Sequence, residues 1–127
     1  MGNRVLVADD HPPTVELIKD ALVREGFTVA TASNGRECLR MIAAEQPELV
    51  ILDVVMPEVD GFKVLRTLRE QPETEHLPVI LLTGRAEHGD VLTGWMAGAD
   101  VYLNKPCTIE ELLGWVKRTL GATTAAR

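Results

Sequence analysis

An α/β domain with a doubly wound parallel sheet is predicted for this 127-residue chain by three features. Apolar runs alternate five times with segments of helical period, a pattern that calls for parallel strands with helices on both faces. The runs are continuously apolar, as suits strands buried on both sides. Four of them lead into reactive polar residues, and open parallel sheets bind ligands along the edge formed by their carboxyl ends.

The first run, Val5 to Ala8, leads into Asp9-Asp10. Pro12 and Pro13 open the next helix, where proline is tolerated. Its buried stripe is Val15, Ile18, Ala21 and Leu22, and Gly26 is placed for a left-handed C-cap. The second run, Phe27 to Thr31, ends in Ala32-Ser33. A helix from about Gly35 to Ala44 buries Cys38, Leu39 and Ile42, and Pro47 prevents its continuation. The third run, Leu49 to Leu52, meets Asp53. Its helix runs from about Gly61 to Glu70, with Phe62, Leu65 and Leu68 inward. Val79 to Leu82 meets Thr83, and a fourth helix covers about Gly89 to Ala97. Val101 to Leu103 is followed within two residues by Lys105. The fifth helix starts at Thr108, with Glu111 completing a capping box. Its stripe is Ile109, Leu112, Leu113, Val116 and Leu120. Crossovers are expected to be right-handed. The domain is placed at residues 1–121, with 122–127 as a flexible tail or the start of a linker.

Bulk properties narrow the function. A chain that is 46% hydrophobic can build a real core. No apolar run approaches the ~20 residues of a membrane span. Charged Arg4, Asp9 and Asp10 interrupt any signal-peptide region. The net charge of −6 argues against a nucleic-acid surface. Cys38 and Cys107 form no metal-ligand cluster and read as reduced thiols in a cytosol. His11, His76 and His88 are scattered and read as solvated.

The carboxylates carry the chemistry. Adjacent acids at a strand end usually mark a solvated turn. Three converging from two strands are different, because charges ~5 Å apart repel by roughly 3 kcal/mol per pair at an effective dielectric of 20. A divalent cation resolves that repulsion, and Mg²⁺ suits hard oxygen ligands. No His or Cys cluster offers a zinc alternative. Asp53 can also act as a nucleophile toward phosphorus, giving an aspartyl phosphate. A loose phosphoryl-transfer transition state is stabilised by positioned cations, here Mg²⁺ and Lys105. Thr83 can donate a hydroxyl hydrogen bond to a phosphoryl oxygen.

Asp9-Asp10, the stretch from Asp53 through Met56-Pro57 to Asp60-Gly61, Leu82-Thr83-Gly84, Gly98-Ala99-Asp100 and Lys105-Pro106 together resemble the receiver domain of two-component response regulators, of the chemotaxis-regulator kind. The resemblance covers about residues 3 to 120. It implies a flavodoxin-like sheet of order 2-1-3-4-5. It implies Asp53 as phosphoacceptor, Asp10 as direct metal ligand, Asp9 acting mainly through water, and the Val55 backbone carbonyl in the metal shell. Lys105 then contacts the acyl phosphate, Thr83 is the switch hydroxyl and Tyr102 the switch aromatic, although Tyr102 also reads as a plain core aromatic.

Val55 and Arg85 flank the pocket where this family tunes dephosphorylation, and apolar Val55 gives an attacking water no hydrogen-bond partner. Cys107 stands where an aromatic is usual and reads as a small buried hydrophobe. Trp95 and Trp115 fall on the surface of the fourth helix, fifth strand and fifth helix (α4-β5-α5). DNA-binding members dimerise there through charges, which Thr93, Val101 and Trp115 replace. A homodimer through this face is therefore expected to be apolar. The competing reading packs each indole against its own helix.

The resemblance implies a bacterial, cytoplasmic signalling module. Its partners are a sensor histidine kinase or phosphotransfer protein, and a downstream protein or attached output domain. It catalyses only its own phosphorylation and dephosphorylation, and contacts neither nucleic acid nor membrane directly. An aspartyl phosphatase would need an Asp-x-Asp nucleophile and a cap, but Asp53-Val54-Val55 lacks the second acid. A flavin or dinucleotide binder would need a Gly-rich or Ser/Thr-rich loop where Asp10-His11-Pro12-Pro13 stands.

Overall fold

The computed structural model describes residues 3–54, 61–83, 98–104 and 107–125. Strands β1 (Arg4–Ala8), β2 (Thr28–Ala32), β3 (Leu49–Asp53), β4 (Val79–Thr83) and β5 (Val101–Asn104) form one parallel sheet in the order β2-β1-β3-β4-β5. Helices α1 (Pro12–Arg24), α2 (Gly35–Glu45) and α3 (Gly61–Arg69) follow β1, β2 and β3, and a C-terminal helix (Ile109–Ala125) follows β5. This is the flavodoxin-like fold expected. The helix expected at 89–97 lies outside the described residues.

Side chains alternate across a strand, so each strand feeds two cores. On one face Leu6, Val50, Leu52 and Leu81 pack with Cys38 and Ile42 of α2 and with Val64, Leu65 and Leu68 of α3. On the other, Val5, Val7, Ile51 and Ile80 pack with Ile18 and Leu22 of α1 and with Leu112 and Val116 of the C-terminal helix. Every residue of β3 is buried, which explains its unbroken apolar run.

Several boundaries differ from expectation for local reasons. β2 begins at Thr28 because Phe27 closes α1: its N–H donates to Leu22 O (3.0 Å), and Gly26 N–H donates to Val23 O (3.0 Å). Those two bonds make a Schellman cap, with Gly26 at φ 94° supplying the left-handed residue. In α3 the buried positions are Gly61, Val64, Leu65 and Leu68. Phe62, expected inward, lies half-buried at the edge of that core, and Val64 takes its place.

The capping box at Thr108 is present. Thr108 Oγ1 accepts the Glu111 N–H (3.0 Å), and Glu111 Oε1 accepts the Thr108 N–H (3.1 Å). The helix it opens continues through Gly121 to Ala125, so residues 122–125, expected as a tail, have helical backbone. Cys38 and Cys107 are both free thiols. Burial, helped by the neighbouring Glu37 charge, pushes the Cys38 thiol up to about 12, so it stays protonated. No helix among the described residues is long and apolar enough to cross a membrane.

Candidate phosphoacceptor site

Parallel register brings the acids together. Ala8 pairs with Leu52, which sets Asp9 level with Asp53 one position further on. One carboxylate oxygen from each of Asp9, Asp10 and Asp53 lies within 4.8 Å of the others. Asp9 is 2% exposed and Asp53 5%, whereas Asp10 stands in solvent. The Asp9 N–H donates to Ala32 O (3.1 Å), and its Oδ1 accepts the His11 N–H (2.9 Å).

The residue after Asp53 is fixed by two backbone bonds. The Val54 N–H donates to Leu82 O of β4 (2.9 Å), and the Gly61 N–H donates to Val54 O (2.9 Å). The first residue of α3 therefore sits directly on the end of β3. A Cβ at Gly61 would overlap the Asp53 carbonyl oxygen and lie 2.8 Å from Val54 Cα. Only glycine fits there without shifting Asp53.

The donor set fits a hard divalent cation. Oxygens on opposite sides of an octahedral Mg²⁺ stand about 4.2 Å apart, so carboxylates already within 4.8 Å need small side-chain rotations to share one. It is the one His, Cys, Asp or Glu group of this kind among the described residues. A groove of about 420 Å³ opens beside it, between Pro12, Val15 and Lys19 of α1 and Ser33 at the end of β2. A larger hollow of about 620 Å³ lies between Leu39 and Ile42 of α2 and Leu68 of α3; it includes none of the three acids.

Other expected site residues are placed in part. Thr83 is the last residue of β4 and pairs with Asn104. Tyr102 lies on β5 opposite Leu81, half-buried against the α2–α3 core. Trp115 is half-buried against the α1 core, and the Arg118 guanidinium stands 4.7 Å from its ring centroid. Its own-helix packing is thus realised in part. Val55, Arg85, Trp95 and Lys105 lie outside the described residues.

Arg69 carries a network that the sequence reading did not anticipate. It joins Gly98 and Asp100, noticed above only as part of a motif. An arginine at the end of a helix gives no such signal by itself.

The response regulator receiver domain profile matches residues 5–117. The chain is 41% identical over 124 residues to the response regulator MprA of Mycolicibacterium vanbaalenii, covering 98% of this chain and 53% of that protein. A receiver domain of a signal transduction histidine kinase from Syntrophus aciditrophicus is 37% identical with a TM-score of 0.90, covering 95% of this chain and 92% of that one. The receiver domain of the sensor histidine kinase PA1611 from Pseudomonas aeruginosa, with a magnesium ion in its active-site cleft, is 28% identical with a TM-score of 0.87, covering 95% and 99%. This chain belongs to the response regulator receiver domain family of two-component systems. It spans about half the length of MprA.

Proposed function

We propose that Asp53 accepts a phosphoryl group from a sensor histidine kinase or phosphotransfer protein, in a Mg²⁺-dependent reaction. The carrying observation is the gathering of Asp9, Asp10 and Asp53 within 4.8 Å, with Asp9 and Asp53 buried. Asp9, Asp10, Asp53 and the Val55 carbonyl would hold the ion. Bound there, Mg²⁺ would neutralise charge on the phosphoryl oxygens.

An Asp53 carboxylate oxygen attacks phosphorus, the P–N bond to the donor's histidine breaks, and the freed imidazole takes a proton. Lys105 and Thr83, by resemblance, meet the phosphoryl oxygens. Chemistry stops at the domain's own phosphorylation and hydrolysis; no metabolite is turned over. Thr83 and Tyr102 then alter the α4-β5-α5 surface, which acts on a downstream protein or an attached output domain. The greater length of MprA favours the attached domain. Self-association, where it occurs, uses the same face through apolar contacts near Trp95 and Trp115. The module works in the cytoplasm, without direct nucleic-acid or membrane contact.

Treatment with acetyl phosphate and Mg²⁺ should add one phosphoryl mass to the intact protein. Omitting Mg²⁺ or introducing Asp53→Asn should abolish the gain. Unchanged labelling of Asp53→Asn would refute the assignment. Lifetime follows from Val55, which cannot orient a water: Val55→Asn should lose its phosphoryl group several-fold faster. Equal or slower decay of the phosphorylated variant would contradict that role.

A further inference from the structure

Arg69 ends α3, and its guanidinium reaches two separate stretches of chain. Nε and Nη2 both donate to Gly98 O, at 3.0 and 2.8 Å. Nη1 donates to Leu77 O (2.8 Å) and Thr74 O (3.2 Å), and Nη2 also meets Asp100 Oδ2 at 3.2 Å. The same Asp100 oxygen accepts the N–H of Val79, the first residue of β4, at 2.8 Å. Asp100 N–H in turn donates to Val79 O (3.0 Å). One planar fork thus ties the chain ahead of β4 to the chain ahead of β5. Lysine, a point donor, could not serve this many acceptors at fixed angles.

Gly98 is shaped for this contact. Its φ is +97°, and a Cβ there would stand 3.1 Å from Arg69 Nε. The side chain of Arg69 is 20% exposed and that of Asp100 45%, so the bonds to Thr74 and Leu77 are partly buried while those to Gly98 and Asp100 face solvent.

The clamp grips the amino ends of β4 and β5. The proposed chemistry is at their carboxyl ends, where Thr83 pairs with Asn104. At about 3.3 Å per residue these ends stand about 10–13 Å apart along the strands.

We propose that the Arg69–Asp100 clamp is the fixed pivot of the switch. Change begun at the carboxyl ends of β4 and β5 stops at the clamp and is directed into the helical surface, because the strands cannot shift at their origins. Arg69 is in this sense a positioning residue, and its role rests on the phosphoacceptor reading above.

Residue-resolved amide exchange on the full chain, with and without Mg²⁺ and beryllofluoride as phosphoryl mimic, tests the pivot. In the wild type, the mimic should change protection at Thr83 and Asn104 and leave Val79 and Asp100 within two-fold. In Arg69→Met, the mimic should change exchange at Val79 and Asp100 by ten-fold or more. Asp100→Asn keeps an acceptor for the Val79 N–H but loses the ion pair, and should give the same effect to a smaller extent. It serves as the test if Arg69→Met does not fold. A mimic-dependent change at Val79 and Asp100 in the wild type would overturn the proposal. So would variants whose exchange rises equally with and without the mimic, since that marks a purely structural contact. Mimic binding is followed separately by tryptophan emission, so its absence in the wild type would identify a failure of the phosphoacceptor reading itself.

Discussion

Mg²⁺ at ten times its dissociation constant should raise the melting temperature by about 5 °C, and Asp10→Ala should remove that rise. A ligand bound only by the folded state stabilises it by RT ln(1 + [L]/Kd), here about 1.4 kcal/mol. One kcal/mol moves the midpoint of a domain this size by about 3–5 °C. Asp10 is the informative position because it is exposed, while its neighbour is tied into the fold by the Asp9 Oδ1 bond to the His11 N–H. Removing Asp10 takes away a metal ligand without opening a cavity. It also relieves repulsion, so the metal-free variant should melt at or slightly above the wild type. Solvent around the exposed carboxylate screens that gain to about 1 kcal/mol or less. Thermal melts across a Mg²⁺ titration check both statements, and a full shift retained by Asp10→Ala would contradict the shared site.

Gly61→Ala should cost about 1–3 kcal/mol, the range for overfilling a packed position. The added methyl would meet the Asp53 carbonyl oxygen and Val54 Cα, which are backbone atoms and cannot rotate aside. Gly114→Ala is the matched control, since its Cβ would meet nothing within 4 Å and it lies inside the C-terminal helix. Alanine is there favoured by about 1 kcal/mol over glycine. The two substitutions should therefore shift the melting temperature in opposite directions. Gly61→Ala should also weaken Mg²⁺ binding, because relief of the overlap moves Asp53. Chemical denaturation of the pair measures the stability terms, and equal effects from both would refute the close-approach argument.

The strands were legible because burial on both faces leaves continuous apolar runs, and β3 is the clearest example. The acidic cluster followed from topology: parallel strands from adjacent positions end on one edge, so Asp9 and Asp53 had to approach. Which acid would be buried was not legible. Asp9 and Asp10 are neighbours of identical chemistry, and the bonds of Asp9 to the Ala32 and His11 backbone, which tie it into the fold, arise only on folding. The left-handed cap at Gln46, φ 48°, was hidden because glutamine carries no signal for it. Arg69 was illegible for a related reason. Apart from the Asp100 carboxylate, its acceptors are the main-chain carbonyls of Thr74, Leu77 and Gly98, brought near by folding, and a carbonyl has no letter in the sequence.

The central claim is an acyl phosphate on Asp53. Borohydride reduces an aspartyl phosphate to homoserine, leaving a permanent mark at the modified residue. Protein treated with acetyl phosphate and Mg²⁺, reduced, digested and sequenced by tandem mass spectrometry should carry homoserine at position 53, with Asp9 and Asp10 unchanged. Homoserine at either of those positions, or none anywhere in protein that has gained a phosphoryl mass, would contradict the account.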